Sequence, residues 1–175
     1  MLGAKEKARF EKRFELWDKD GDGTIDHSDL EAEAQRVAQV FGEQGSAKGQ
    51  ALARAYHEMW NGISREVGSD RITKDEFLQL AERSIIDRGD SGFAYAVMPV
   101  VEAVGSLLDT DDDGKISQQE FQKWADAVGV DGAHPAEVFQ ELDLDHNGYL
   151  SVNEFNRAVQ DYMFGRSSAS LLGVG

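Results

Sequence analysis

Apolar residues return along most of this chain at intervals of three and four, the period of a helix with one buried face. The first run is Phe10, Phe14 and Trp17, and the second Leu30, Ala34, Val37 and Phe41. Leu52, Tyr56, Met59 and Ile63 mark a third helix, and Phe77, Leu80 and Ala81 a fourth. Further along, Phe121, Trp124, Ala125 and Val128 form one stripe, and Phe155, Ala158, Val159 and Tyr162 another. The stretch GFAYAVMPVVEAVGSLL is apolar apart from Glu102 and Ser106 and is broken by Pro99, which either kinks a helix or begins one. The stripes read as core packing, and the fold class they predict is all-α.

The polar stretches between the helices repeat one another. Asp109–Glu120 reads DTDDDGKISQQE and Asp143–Glu154 reads DLDHNGYLSVNE, both complete matches to D-x-[DN]-x-[DN]-G-x5-E. Asp18–Asp29, DKDGDGTIDHSD, matches except that it ends in Asp. Ca2+ is a hard cation that takes six to eight oxygens, about 2.3–2.6 Å away, and alternate residues of such a loop can wrap one ion. Asp109, Asp111 and Asp113 would supply side-chain oxygens, Lys115 its backbone carbonyl, Ser117 a direct or water-mediated contact, and Glu120 both carboxylate oxygens. The same parts in the last loop are Asp143, Asp145, Asn147, the carbonyl of Tyr149, Ser151 and Glu154. The glycine at the sixth position allows a turn that is costly for other residues. Ser117-x-x-Glu120, Ser151-x-x-Glu154 and Thr73-x-x-Glu76 are also helix capping boxes, which accounts for the ninth and twelfth positions without an ion. Capping does not account for the acids at the first, third and fifth, where two like charges about 4 Å apart cost roughly 1 kcal/mol even in water.

A fourth stretch, Arg65–Glu76, aligns with these on Ile72 and Glu76. It places Arg65, Val67 and Ser69 at the first, third and fifth positions and lacks the glycine, so it is expected to keep the scaffold without the ion. The eighth positions, Ile25, Ile72, Ile116 and Leu150, are expected to join the loops in pairs through short two-stranded contacts.

These loops are identified as members of the EF-hand family. Four hands with the second degenerate, together with Trp17-Asp18 and the Phe164–Arg166 triplet, resemble the calerythrin and invertebrate sarcoplasmic calcium-binding branch. The resemblance runs from about Phe10 to Phe164. It implies four helix–loop–helix units in two paired lobes packed into a compact globule, with hands 1 and 2 in residues 1–88, hands 3 and 4 in 89–164 and a tail in 165–175. The family's ligand roles carry over to the first loop as Asp18, Asp20, Asp22, the carbonyl of Thr24, Asp26 and Asp29, giving three Ca2+ sites in all. Asp29 is a methylene shorter than Glu, so this site is expected to tolerate the smaller Mg2+ best of the three. The family buffers or carries Ca2+, and that is the function implied.

Charge and composition narrow the alternatives. Lys and Arg number 18 against 33 Asp and Glu, a formal charge of −15. Such a surface repels nucleic acid and anionic membranes and attracts cations. There is no cysteine, so no disulfide and no thiolate site is possible. His27, His57, His134 and His146 have no second ligand at zinc spacing, and no nucleophile elbow or phosphate-binding motif is present, so an enzyme is not expected. The N-terminus, MLGAKEKARF, has no apolar h-region, which predicts a cytoplasmic address, and a monomer is expected. A dockerin-like module would be a shorter secreted unit with one loop pair.

The competing function is a Ca2+ sensor that opens an apolar groove for a target protein. Sensors favour Met-rich grooves, whereas this chain has 4 Met beside 9 Phe, 4 Tyr and 3 Trp, a composition suited to a fixed core. The apolar pair Leu171-Leu172 in the tail could lie in the protein's own groove and exclude outside helices.

Overall fold

The computed structural model describes residues 1–130, 135–167, 169, 171 and 172. Nine α-helices lie among the described residues: α1 Ala4–Trp17, α2 His27–Val40, α3 Ala47–Val67, α4 Lys74–Ala81, α5 Asp90–Ala96, α6 Met98–Leu108, α7 Gln118–Val128, α8 Pro135–Leu142 and α9 Val152–Met163. The stripes read from the sequence are their buried faces. Phe10, Phe14, Leu30, Val37, Leu52, Phe121, Val128 and Phe155 are fully or almost fully buried.

Four short strands, β1 Thr24–Ile25, β2 Ile72–Thr73, β3 Lys115–Ser117 and β4 Tyr149–Ser151, form two antiparallel pairs. Ile25 faces Ile72 in one, and Ile116 faces Leu150 in the other. All four side chains are at 0 % exposure, so each pair anchors its two loops from beneath with an apolar peg. The loops therefore stand in pairs, as the eighth-position residues predict.

Arg65–Glu76 does not trace a loop like the other three. Helix α3 continues through Arg65 and Val67 and stops only at Gly68, which is left-handed at φ 77°. With no acid at the first, third or fifth position and no glycine between Gly62 and Gly68, nothing breaks the helix earlier. The Thr73 and Glu76 capping box and the Ile72 contact are both present.

Ala81 leads directly into a π-helical turn, Glu82–Ile86, and Gly92 of α5 packs hard against it. Pro99 begins a helix: it lies in the first turn of α6, which bends 64° from α5. No single helix among the described residues is long and apolar enough to cross a membrane. Helix α3 packs along α6 and α2 against α7, and one apolar core runs from Phe10 to Leu172.

Two buried ions organise the α1 side. Glu33 is at 0 % exposure and its carboxylate accepts hydrogen bonds from Arg13, from Trp17 Nε1 at 2.9 Å and from the Tyr56 hydroxyl at 2.6 Å, joining α1, α2 and α3. Arg9, also at 0 %, donates to the carbonyl of Tyr162 and to that of Ser167 at 2.6 Å. The chain after α9 is thereby held against α1, and Ala169, Leu171 and Leu172 are buried.

Candidate metal centres

Each of the three acidic loops begins where a helix runs out. Asp18, Asp109 and Asp143 follow the last residues of α1, α6 and α8, and their N–H groups still bond to the preceding turn, on Phe14, Gly105 and Phe139, at 2.9, 3.1 and 2.9 Å. The chain then reverses twice. The fourth position is left-handed in every loop (Gly21 φ 68°, Asp112 56°, His146 53°), and so is the sixth (Gly23 83°, Gly114 78°, Gly148 85°). Asp112 and His146 show that the fourth position tolerates a side chain at that angle, as Asp and His do more readily than branched residues.

This double reversal aims the backbone inward. The N–H of the sixth residue donates to the carboxylate of the first in all three loops: Gly23 to Asp18 at 3.0 Å, Gly114 to Asp109 at 2.8 Å and Gly148 to Asp143 at 2.9 Å. The fifth side chain accepts the N–H of the seventh, Asp22 from Thr24, Asp113 from Lys115 and Asn147 from Tyr149, each at 2.9 Å. Carboxylate oxygens of Asp18, Asp20 and Asp22 lie within 4.8 Å of one another, as do those of Asp109, Asp111 and Asp113. In the last loop Asn147 ties the acids together, through its N–H to Asp143 at 3.2 Å and its side-chain amide to Asp145 at 3.1 Å.

Thr24, Lys115 and Tyr149 enter the strands, and Asp26, Ser117 and Ser151 are the N-caps of α2, α7 and α9. The twelfth-position carboxylates turn back to the cap N–H groups: Asp29 to Asp26 at 2.9 Å, Glu120 to Ser117 at 2.8 Å and Glu154 to Ser151 at 3.3 Å. The first loop thus has a capping box made of two aspartates. The sequence motif for a box is Ser or Thr followed by Glu or Gln, which is why Asp26 and Asp29 escape it. The other oxygen of Glu120 takes the N–H and hydroxyl of Thr110, at 3.0 and 2.7 Å, so this side chain reaches over the start of its own loop.

Burial, aided by the neighbouring acids, pushes the carboxyls of Asp18 and Asp109 up from their ordinary value. The N–H groups of Thr24 and Lys115 hold Asp22 and Asp113 down. For Asp143 burial is again the largest influence, but the hydrogen bond from Gly148 and those of its neighbours outweigh it and the net shift is downward. Each loop therefore concentrates negative charge that it neutralises only in part. Clustered hard oxygens, with no sulfur and no imidazole among them, suit Ca2+ or Mg2+ and not a soft metal.

Three basic or imidazole contacts were not evident from the chain. Arg71 reaches across from the second half of the pair to Asp22 Oδ2 at 3.0 Å and Thr24 Oγ1 at 2.8 Å. Lys48, at the start of α3, holds the carbonyl of Asp109 at 2.8 Å and the carboxylate of Asp112 at 2.7 Å. His57 Nδ1 meets His27 Nε2 at 3.0 Å, a pairing across α2 and α3 that sequence spacing conceals. Among the described residues no group of three potential ligands includes this pair. His134 lies outside the described residues.

Comparison with known proteins agrees with the geometry. An EF-hand domain pair model matches residues 106–160 and an EF hand model matches residues 10–32. Calerythrin of Saccharopolyspora erythraea is 38% identical over 169 residues, covering 94% of this chain and 96% of that protein. Luciferin-binding protein of Renilla reniformis is 29% identical over 168 residues, covering 93% of this chain and 88% of that one. Among solved structures, a Streptomyces coelicolor calcium-binding protein superposes with a TM-score of 0.76 at 29% identity, covering 91% of this chain and 98% of that one.

Proposed function

The chain belongs to the EF-hand calcium-binding proteins related to calerythrin and the sarcoplasmic calcium-binding proteins, and from that premise we propose that it binds three Ca2+ ions and acts as a Ca2+ buffer or carrier. It is a non-enzymatic calcium-binding protein, as its relatives are. One observation supports the three sites above all: the loops beginning at Asp18, Asp109 and Asp143 share one backbone trace, down to the sign of φ at the fourth and sixth positions and the inward N–H of the sixth.

On this reading the ligands are Asp18, Asp20, Asp22, Asp26 and Asp29 with the carbonyl of Thr24; Asp109, Asp111, Asp113, Ser117 and Glu120 with that of Lys115; and Asp143, Asp145, Asn147, Ser151 and Glu154 with that of Tyr149. When bound, the ion supplies the positive charge that the clustered carboxylates lack. The chain positions the oxygens, supplies the turn and buries the peg beneath it. The second hand is degenerate, since Arg65 and Val67 stand in a helix, and its part is to brace the first through Ile72. The hands group as 1–88 and 89–164, with 165–175 as tail. The first site is the most Mg2+-tolerant, because Asp29 is one methylene shorter than Glu120 and Glu154 at the same position of the other two loops.

The buffer role is supported by where the apolar faces go. Helices of the two hand pairs cover one another, and Leu171 and Leu172 are buried in the same core. The Streptomyces coelicolor protein is described as acting in calcium-mediated regulation, and that favours, as a second reading, a sensor that opens a groove for a target. Calorimetry without Mg2+ should count three Ca2+ per chain, and the loaded protein should pass through a phenyl matrix. A count of two or fewer sinks the three-site assignment. Retention with Ca2+ and release by chelator makes the sensor the better reading.

A further inference from the structure

A cavity of about 470 Å3 lies between the helices, bounded by both hand pairs and by the tail, and it opens to solvent beside the exposed Tyr95. Trp17, Tyr56, Phe77, Trp124, Phe155 and Tyr162 line it, contributed by α1, α3, α4, α7 and α9. Small-molecule sites are typically concave, mostly apolar clefts of this kind. This one falls within the range of about 300–1,000 Å3 usual for small-molecule sites. The tail forms one side of it. Arg9 fixes the chain at Tyr162 and Ser167, and Leu171 and Leu172 form part of the wall.

Two polar atoms indicate what the occupant offers. Arg13 and Ser84 both line the cavity, and Arg13 Nε and Ser84 Oγ are buried with no hydrogen-bond partner. Buried donors are almost always paired, and leaving one unpaired is costly. The Arg13 guanidinium already serves Glu33 with another of its nitrogens, so its charge is neutralised and a bare Nε–H remains. Such a site takes a neutral molecule with a hydrogen-bond acceptor rather than an anion. We propose that this cavity binds a small, flat, uncharged aromatic molecule bearing a carbonyl or similar acceptor. The proposal rests on the cavity and does not depend on how many ions the loops hold.

The test uses the full-length protein in saturating Ca2+ and the fluorescent probe 6-propionyl-2-dimethylaminonaphthalene, which is neutral, aromatic and carries one ketone. The expected result is saturable binding of one probe per chain, a blue-shifted emission and quenching of tryptophan fluorescence. Val104→Phe fills the cavity from α6 and should weaken binding at least tenfold while Ca2+ binding is retained. If that overpacked variant does not fold, Met59→Trp gives the same reading, because Met59 is only half-buried and has room to change. Ser84→Ala should weaken binding a few-fold. Failure of the parent to saturate at one probe per chain overturns the proposal. So does undiminished binding by whichever cavity-filling variant folds.

Discussion

Asp109 holds its proton more tightly in the fold than in water, because it is buried among other acids and hydrogen bonds from Gly114 and Asp113 do not fully compensate. The sign of its contribution follows. A carboxyl whose folded value is raised destabilises the ion-free fold once it ionises, and this loss grows as pH climbs through the raised value and is complete at neutral pH. Asp109→Asn should therefore melt higher than the parent in chelator at pH 7, lower than the parent in saturating Ca2+, and close to it in acid. Melting curves in the two buffers check this, and a change of the same sign in both refutes it. Arg71 makes a second prediction. It is 61 % exposed and its pair with Asp22 is correspondingly weak. Arg71→Gln should raise Ca2+ affinity at the first loop by roughly two- to fivefold, the effect of losing one exposed competing charge. Calorimetry at low and high salt should show the gain shrinking as screening rises.

At the scale of elements, helix ends carry most of the information. Four capping boxes set the start of α2, α4, α7 and α9, and three of them were legible as Ser or Thr followed by Glu. The fourth, Asp26 with Asp29, was legible only as an anomaly, a loop ending in the wrong acid. The reverse happened at Arg65–Glu76, where alignment on Ile72 and Glu76 fixed the later half, but helix propagation ran on to Gly68. Periodicity marked α1, α2, α3, α4, α7 and α9 because each has one buried face. It did not show the turn between α4 and α5, where packing is governed by a missing side chain. A Cβ on Gly92 would lie 2.4 Å from the carbonyl oxygen of Ser84 and 2.7 Å from Arg88 Cβ. Gly92→Ala should cost about 1–3 kcal/mol, typical of overpacking. The melting temperature should drop by several degrees, at about 2–4 °C per kcal/mol for a chain of this size. Unchanged melting would show that α5 can move away freely.

For the whole molecule, the tail tests how the two hand pairs are closed. Ending the chain after Ser167 removes Leu171 and Leu172, each buried and each worth about 1.5–3 kcal/mol on exposure. The truncated protein should melt lower and bind to a phenyl matrix that the parent passes through; unaltered behaviour in both assays would mean that the tail seals nothing. The sequence by itself determined six of the helices, the three acidic loops and the pairing of the loops, because these depend on residues close in the chain or on one repeated motif. Ligand-type residues had to recur at fixed spacing, and that recurrence is visible without a structure. Only the tertiary structure decided what depends on distant segments meeting: Arg71 on Asp22, Lys48 on Asp109, Arg9 on the end of α9, and Glu33 shared by three helices. A buried charge looks in sequence like any surface charge, since its partner lies at no fixed interval. A cavity has no residues of its own, so its place and size follow only from how the helices that surround it come to rest.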